Sequence, residues 1–234
     1  MCIRDSLITQ VIVVDDGSQD ATADVVTEWE LRDSRVQLIR REENQGKAAA
    51  IALGGQHAAG DIVTLLDADL KGLKPHHIQR LINPVRRREC VMTSGLFQHG
   101  RRSTDITHRI LPFLSGQRCL RWSLFKGTLS SPSAGWSLET ALNLHAWYNQ
   151  YPVKRVVWEG VTHAMRPEKQ PGLRGYTSHV VMWSQILRYT AEFVSGKGVG
   201  SIVARLQQPT PSVVTLKYGM PRNRNSALMR RPFL

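Results

Sequence analysis

Two aspartates one residue apart, Asp67 and Asp69, follow the apolar run Ile62 to Leu66. If extended backbone persists to the end of that run, both side chains point the same way and their charges repel within a few ångströms. A divalent cation removes that repulsion. Hard oxygen ligands favour Mg²⁺ or Mn²⁺, which commonly sit between a few carboxylates and substrate phosphates. The same Asp-x-Asp also suits a solvated turn. A second acidic pair, Asp15-Asp16, closes the run Val11 to Val14 and leads into Gly17-Ser18, residue types equally at home in a turn. Further on, Asn44-Gln45-Gly46-Lys47 sets a glycine and a cation before an alanine-rich segment. A helix N-terminus there suits a phosphate, and Lys47 also reads as a surface lysine opening a helix; the G-x-x-x-x-G-K-[ST] pattern is absent.

The elements needed to position these groups are legible over the first half. Val11 to Val14 is an unbroken β-branched run, the mark of a strand buried on both faces. Asp20 is a plausible N-cap for a helix whose apolar stripe is Thr22, Val25, Val26 and Trp29. Val36 to Ile39 predicts a second strand, Lys47 to Ala59 a helix of small residues packed on a sheet, and Ile62 to Leu66 a third strand. Pro75 suits a first helical turn, with Ile78, Leu81, Ile82 and Val85 continuing the spacing before a strand at Cys90 to Thr93. The alternation implies a parallel sheet with crossover helices, and both acidic pairs fall where such sheets bind ligands, at the carboxyl ends of strands. Beyond Gly95 the spacing predicts helices at Ser137 to Tyr148 and Tyr176 to Phe193 and a strand at Val153 to Trp158. No internal repeat is present.

The chain has 234 residues and a formal charge of +12, unevenly spread. Residues 1–70 carry 13 acids and 6 bases, whereas residues 71–234 carry 6 acids and 25 bases. This distribution fits a carboxylate site facing an anion-attracting wall better than a nucleic-acid coat. Cys2, Cys90 and Cys119 lack metal-ligand spacing and argue against both a disulfide framework and a zinc site, which points to a reducing compartment. No stretch approaches the roughly 20 apolar residues of a membrane span and no signal peptide is visible, so a cytoplasmic location is expected, with peripheral contact at the inner membrane face left open.

Taken in order, VIVVDDGSQDAT, NQGKAAAIALGGQHAAGD and IVTLLDAD resemble the family-2 glycosyltransferases of the GT-A fold. The match is specific from Val11 to Asp69 and thinner beyond; glucosyl-3-phosphoglycerate synthase-like and polyprenyl-phosphate glycosyltransferases are the similar branches. The resemblance implies an α/β, Rossmann-like domain with a mostly parallel sheet flanked by helices. It implies metal-dependent transfer of a sugar from a nucleoside-diphosphate donor to an acceptor, with Mg²⁺ or Mn²⁺ as cofactor. Asp15, Asp16 and Ser18 would then lie on the nucleotide side, with Lys47 toward the phosphates, while Asp67 and Asp69 would hold the metal on the diphosphate. The leaving nucleoside diphosphate gains negative charge as its bond to the sugar breaks, and a metal with nearby cations, Arg118 among them, stabilises that charge most in the transition state.

Transfer with inversion needs a base. Gly135-Trp136-Ser137-Leu138-Glu139 looks like the segment where related enzymes keep their acceptor-side carboxylate, which nominates Glu139. Glu139 also reads as an acid favoured by the dipole at the start of a helix. His163 is similar to the histidine that completes the metal shell in these relatives, and Ser115-Gly116-Gln117-Arg118 to a loop near their acceptor. The basic second half points to an anionic acceptor, a phosphorylated small molecule or a lipid phosphate.

The family normally begins with a strand ending in a Pro-Ala-x-Asn-Glu type segment, then a helix, and this sequence has neither ahead of Val11. It reads as a fragment: a non-native leader at 1–6, a GT-A domain at 7–195 without its first strand and helix, and a basic, loosely ordered tail at 196–234. An incomplete nucleotide pocket would leave this fragment inactive. Three rival readings remain. A sugar-nucleotide-forming nucleotidyltransferase shares a related fold, but its signature should precede Val11. A receiver-like Mg-binding signalling domain shares paired acids but phosphorylates a single aspartate, not a D-x-D. A nucleic-acid module would use runs such as Arg86-Arg87-Arg88, yet it lacks aromatic interleaving.

Overall fold

A computed structural model describes residues 7–98, 115–129, 137–163, 173–198, 201 and 213–216. In chain order the elements are β1 (Val11–Asp16), α1 (Thr22–Arg32), β2 (Val36–Arg41), α2 (Lys47–Gln56), β3 (Ile62–Leu65), β4 (Leu70–Lys71), α3 (Pro75–Arg86) and β5 (Met92–Gln98). There follow β6 (Arg118–Arg121), α4 (Trp122–Leu129), α5 (Ser137–Tyr148), β7 (Val153–Glu159), β8 (Thr162–His163), α6 (Leu173–Lys197) and β9 (Val213–Leu216).

The architecture is the expected α/β one, although the described strands fall into three ladders. β1 and β2 run parallel, with Val11 opposite Val36 and Asp16 opposite Arg41. A five-stranded sheet has the order β3-β6-β5-β7-β9; β5, β7 and β9 are parallel, and β6 is antiparallel to both β3 and β5. A short β4–β8 ladder pairs Leu70 with His163. Among the described residues β1 is paired along one edge only, by β2, and β3 along one edge only, by β6.

Two apolar layers cover the large sheet. On one side α3 inserts Ile78, Leu81, Ile82 and Val85 against Phe97, Cys119, Val156 and Trp158. On the other, Ala48 of α2, Leu124 and Phe125 of α4, and Leu138 and Leu142 of α5 meet Met92 and Leu120. Burial of such side chains contributes about 1.5–3 kcal/mol each. α2 also reaches β1, where Gly54 sits so close that a methyl group there would lie 3.1 Å from the Val14 Cγ2. The alanine- and glycine-rich composition is what allows that approach, and it makes α2 a bridge between the β1–β2 ladder and the large sheet.

Three expectations are corrected. The N-cap position of α1 is Ala21; Asp20 stands one residue earlier, where its Oδ1 accepts the Thr22 N–H at 3.1 Å. The stripe of α1 is also rotated: Ala23 is buried with Val26 and Glu30 half-buried, whereas Val25 and Trp29 are 52% and 40% exposed. Glu30 explains the rotation, because its carboxylate accepts the Leu38 N–H of β2 and turns that side inward. Finally, Val213–Leu216, within the stretch expected to be a loose tail, forms β9 on the edge of β7, as its β-branched composition favours. The leader at 1–6 lies outside the described residues. No helix among the described residues is long and apolar enough to cross a membrane.

Candidate functional site

The site assembles at the carboxyl ends of β1 and β3, where parallel strands leave their loops. Asp15 is buried at the end of β1; its Oδ1 accepts the Ser18 N–H at 2.9 Å, and its Oδ2 lies 3.7 Å from Arg40 Nε without a hydrogen bond. Asp16 accepts the Gln45 N–H at 3.1 Å and the Gly46 N–H at 2.7 Å, and pairs with Arg41 at 3.4 Å. Arg41 also donates to the Gln45 side chain. Asp16 therefore fixes the turn that starts α2, and with it the place of Lys47.

From the first turn of α2, Lys47 Nζ reaches Asp67 Oδ1 at 2.8 Å and Glu139 Oε1 at 3.1 Å. Partial removal from water opposes the charge on this ammonium, but the carboxylates of Glu139 and Asp67 outweigh that effect and hold its pKa above the ordinary lysine value. Glu139 is buried in the first turn of α5 and Asp67 follows β3, so one cation ties together segments more than seventy residues apart. A buried carboxylate of this kind needs nearby cations to offset desolvation.

Arg118 supplies the second positive charge from beneath. It is 1% exposed; its Nε donates to the Ser115 carbonyl at 2.8 Å and its Nη1 to Asn143 Oδ1 at 3.0 Å. Burial pulls its pKa down to about 10, against the opposing pull of Glu139. The guanidinium thus lies in the floor of the site, behind the groups that face the cleft.

Gln117 and Gly116 were not singled out by spacing, yet they shape the centre. Gln117, fully buried, donates from Nε2 to Asp67 Oδ2 at 2.9 Å. Its loop is pinned to β5, with the Ser115 hydroxyl donating to the Gly95 carbonyl at 2.5 Å and the Gly95 N–H to the Gln117 carbonyl at 2.8 Å. A Cβ at Gly116 would fall 2.6 Å from Lys47 Nζ and 2.7 Å from Asp67 Oδ2, so only glycine fits there without displacement. The signal that could have found this loop was its run of small and amide residues between two strands, which propensity alone does not distinguish from any other turn.

Asp69 is exposed on the turn between β3 and β4. Through the β4–β8 ladder the backbone of His163 lies opposite Leu70, the next residue; the His163 side chain lies outside the described residues, as do Gly135 and Trp136. The crossing is tight: Gly72 has φ +76°, and a Cβ there would lie 2.3 Å from the Gly160 carbonyl oxygen. Among the described residues no group of three or more His, Cys, Asp or Glu is placed to hold a metal ion. The donor chemistry of Asp67 and Asp69, two carboxylates within three residues, with an imidazole-bearing residue brought alongside by backbone pairing, nevertheless fits Mg²⁺ or Mn²⁺. The arrangement as a whole offers a half-exposed cation between two carboxylates above a buried polar floor, a combination suited to gripping a phosphorylated ligand.

Comparison with known proteins gives the following similarities. The family described as Glycosyl transferase family 2 matches residues 4–156. A dolichyl-phosphate beta-glucosyltransferase of Trichomonas vaginalis is 38% identical over 60 residues, 26% of this chain and 18% of that protein. An undecaprenyl-phosphate 4-deoxy-4-formamido-L-arabinose transferase of Edwardsiella ictaluri is 40% identical over 74 residues, 31% of this chain and 22% of that protein. The matched stretch thus spans about a fifth of each curated relative's length. Among solved structures, glucosyl-3-phosphoglycerate synthase of Mycobacterium tuberculosis with phosphoglyceric acid superposes with a TM-score of 0.58 at 22% identity, covering 78% of this chain and 69% of that one. The same enzyme with Mn²⁺, UDP-glucose and phosphoglyceric acid gives 0.55 at 22% identity, covering 75% and 68%. These superpositions assign the GT-A fold.

Proposed function

Because this chain belongs to glycosyl transferase family 2, we propose that it carries the donor-binding and catalytic core of a metal-dependent enzyme transferring a sugar from a nucleoside-diphosphate sugar to a phosphate-bearing acceptor. The observation that carries this reading is the convergence of Asp67 and Glu139, from well-separated parts of the chain, on the Lys47 ammonium at 2.8 and 3.1 Å.

Asp15, Asp16 and Ser18 form the nucleotide side. The Asp15 Oδ2, without a hydrogen bond among the described residues, is the acceptor that a nucleobase N–H or ribose hydroxyl would satisfy. Asp16 acts through the turn it fixes. Lys47 neutralises charge on the diphosphate, and buried Arg118 contributes its field from below. Asp67 and Asp69, with His163, would hold Mg²⁺ or Mn²⁺, which when bound neutralises the diphosphate as it leaves. Gln117 keeps the Asp67 carboxylate oriented from Oδ2 while Lys47 engages Oδ1, so a metal would use the second lone pair of an oxygen already paired. When transfer proceeds with inversion onto a hydroxyl acceptor, the Glu139 carboxylate takes the hydroxyl proton as the hydroxyl oxygen bonds to the sugar carbon and the bond from that carbon to the diphosphate oxygen breaks; a phosphate acceptor brings an ionised oxygen and needs no such base.

The acceptor is a phosphorylated small molecule, of the kind bound by the Mycobacterium tuberculosis structure, or a polyprenyl phosphate, of the kind named for the curated relatives. The second would require contact with a membrane surface, to which the basic residues after position 70 are suited. Thermal shift with UDP- and GDP-sugars, with and without Mn²⁺, identifies the donor, because a ligand held by the native state raises stability by mass action. Transfer to 3-phosphoglycerate in solution or to polyprenyl phosphate in vesicles then separates the acceptors. In the full-length protein, Asp69→Asn is expected to reduce Mn²⁺-dependent donor hydrolysis by about 100-fold or more with the melting temperature unchanged, within the range that loss of a metal function gives. Retention of most activity overturns the metal assignment.

A further inference from the structure

Lys47 belongs at once to the donor side of the site, through Asp67, and to the acceptor side, through Glu139. We propose that it is an exchangeable counter-ion: the diphosphate of the donor competes with Glu139 for the Lys47 ammonium, so that filling the donor side releases the acceptor-side carboxylate for its own work. The proposal deepens the donor-and-base reading above and rests on it.

Several features support an exchange rather than a fixed bridge. The Lys47 side chain is 44% exposed whereas that of Glu139 is 6% exposed, so the ammonium is the partner with somewhere to go. Its stem is flexible and its head has three donors, so it can trade one oxygen for another at little geometric cost. Gly116 keeps the space beside Nζ clear of a side chain. The other cation near Glu139, Arg118, is held by the Ser115 carbonyl and Asn143 beneath the site and stays behind when Lys47 moves. Glu139 is thus left with a fixed positive neighbour after the exchange and is not stranded as an uncompensated buried charge.

Coupling of this kind is reciprocal: if diphosphate weakens the hold of Lys47 on Glu139, loss of the Glu139 carboxylate must strengthen the hold on diphosphate. Calorimetric titration of the 234-residue chain with UDP and Mg²⁺ therefore gives an unusual expectation for the proposed base. Glu139→Gln should tighten UDP binding by about threefold to tenfold. Lys47→Met should weaken it, and in the Lys47→Met background the further change Glu139→Gln should alter affinity by less than about twofold, because general repulsion between Glu139 and phosphate is all that then remains. Tighter binding of equal size in both backgrounds, or none in either, overturns the exchange while leaving donor binding in place. Failure of all four proteins to bind UDP overturns the donor reading and the exchange together. Should Glu139→Gln fail to fold, the side-chain carboxyl resonance of Glu139 in the unaltered protein decides the matter: UDP must shift it toward its position in Lys47→Met, and an unmoved resonance rejects the proposal.

Discussion

Gly116 sets the spacing of the Lys47–Asp67 contact by having no side chain. Replacing it with alanine puts a methyl group within 2.7 Å of Asp67 Oδ2 and 2.6 Å of Lys47 Nζ. The lysine can retreat at little cost, but Asp67 is also held by Gln117. Gly116→Ala is therefore expected to lower kcat/KM by about tenfold or more through misplacement of Asp67, with a melting temperature within a few degrees of the parent. Equal losses in activity and in stability would mean that the loop itself unfolds. At this scale the sequence made part of the site legible: Asp67 and Lys47, nominated by type and position, and Glu139, nominated by the family resemblance, meet in space. The burial of Arg118 and the role of Gln117 were illegible, because a buried guanidinium is tolerable only with a partner such as Asn143, and Gln117 acts on Asp67; both partners lie far off in the chain.

Among the elements, α3 was readable from Pro75 and its apolar spacing, and its start hides a titrating group. His77 is 3% exposed, its Nδ1 accepting the Lys74 N–H at 3.1 Å while its ring lies 5.7 Å from that of Trp158. Burial, aided by the nearby charges of His76, Arg80 and Lys74, pushes its pKa down to about 4. An unfolded histidine takes its proton near pH 6.5, so between about pH 6.5 and 4 the unfolded chain binds more protons and folding stability falls as the solution is acidified. Urea unfolding at pH 7 and pH 4.5 should show this loss, roughly 2–3 kcal/mol from His77 alone, and His77→Gln should reduce the difference between the two pH values. An unchanged difference would place the acid sensitivity elsewhere. The elements that escaped sequence reading are those whose reason is tertiary: β6 carries arginine at both ends, β4 and β8 are two residues each, and α4 is one short helix interrupted by Gly127. None has a period of its own. By contrast β1, α2, β3, α5 and β7 follow runs or stripes long enough to be seen without their neighbours.

At the scale of the molecule, α2 packs on β1 on one side and places Ala48 against Met92 and Leu120 of the five-stranded sheet on the other, and the lysine that begins α2 also joins the two sides of the site. The one-sided pairing of β1 and β3 has a separate outcome. Among the described residues no strand pairs with the other side of either, and the side chains of both strands are mostly half-buried rather than sealed. Unpaired strand edges accept a foreign strand readily. Light scattering of the purified chain should therefore report an apparent mass that climbs with protein concentration, whereas a constant monomer mass up to about 100 µM would show these edges to be shielded; micromolar and higher concentrations are where exposed strand edges drive aggregation. The molecule would then be self-adhesive in storage, and its handling in dilute solution would decide whether any enzymology performed on it measures single particles or clumps.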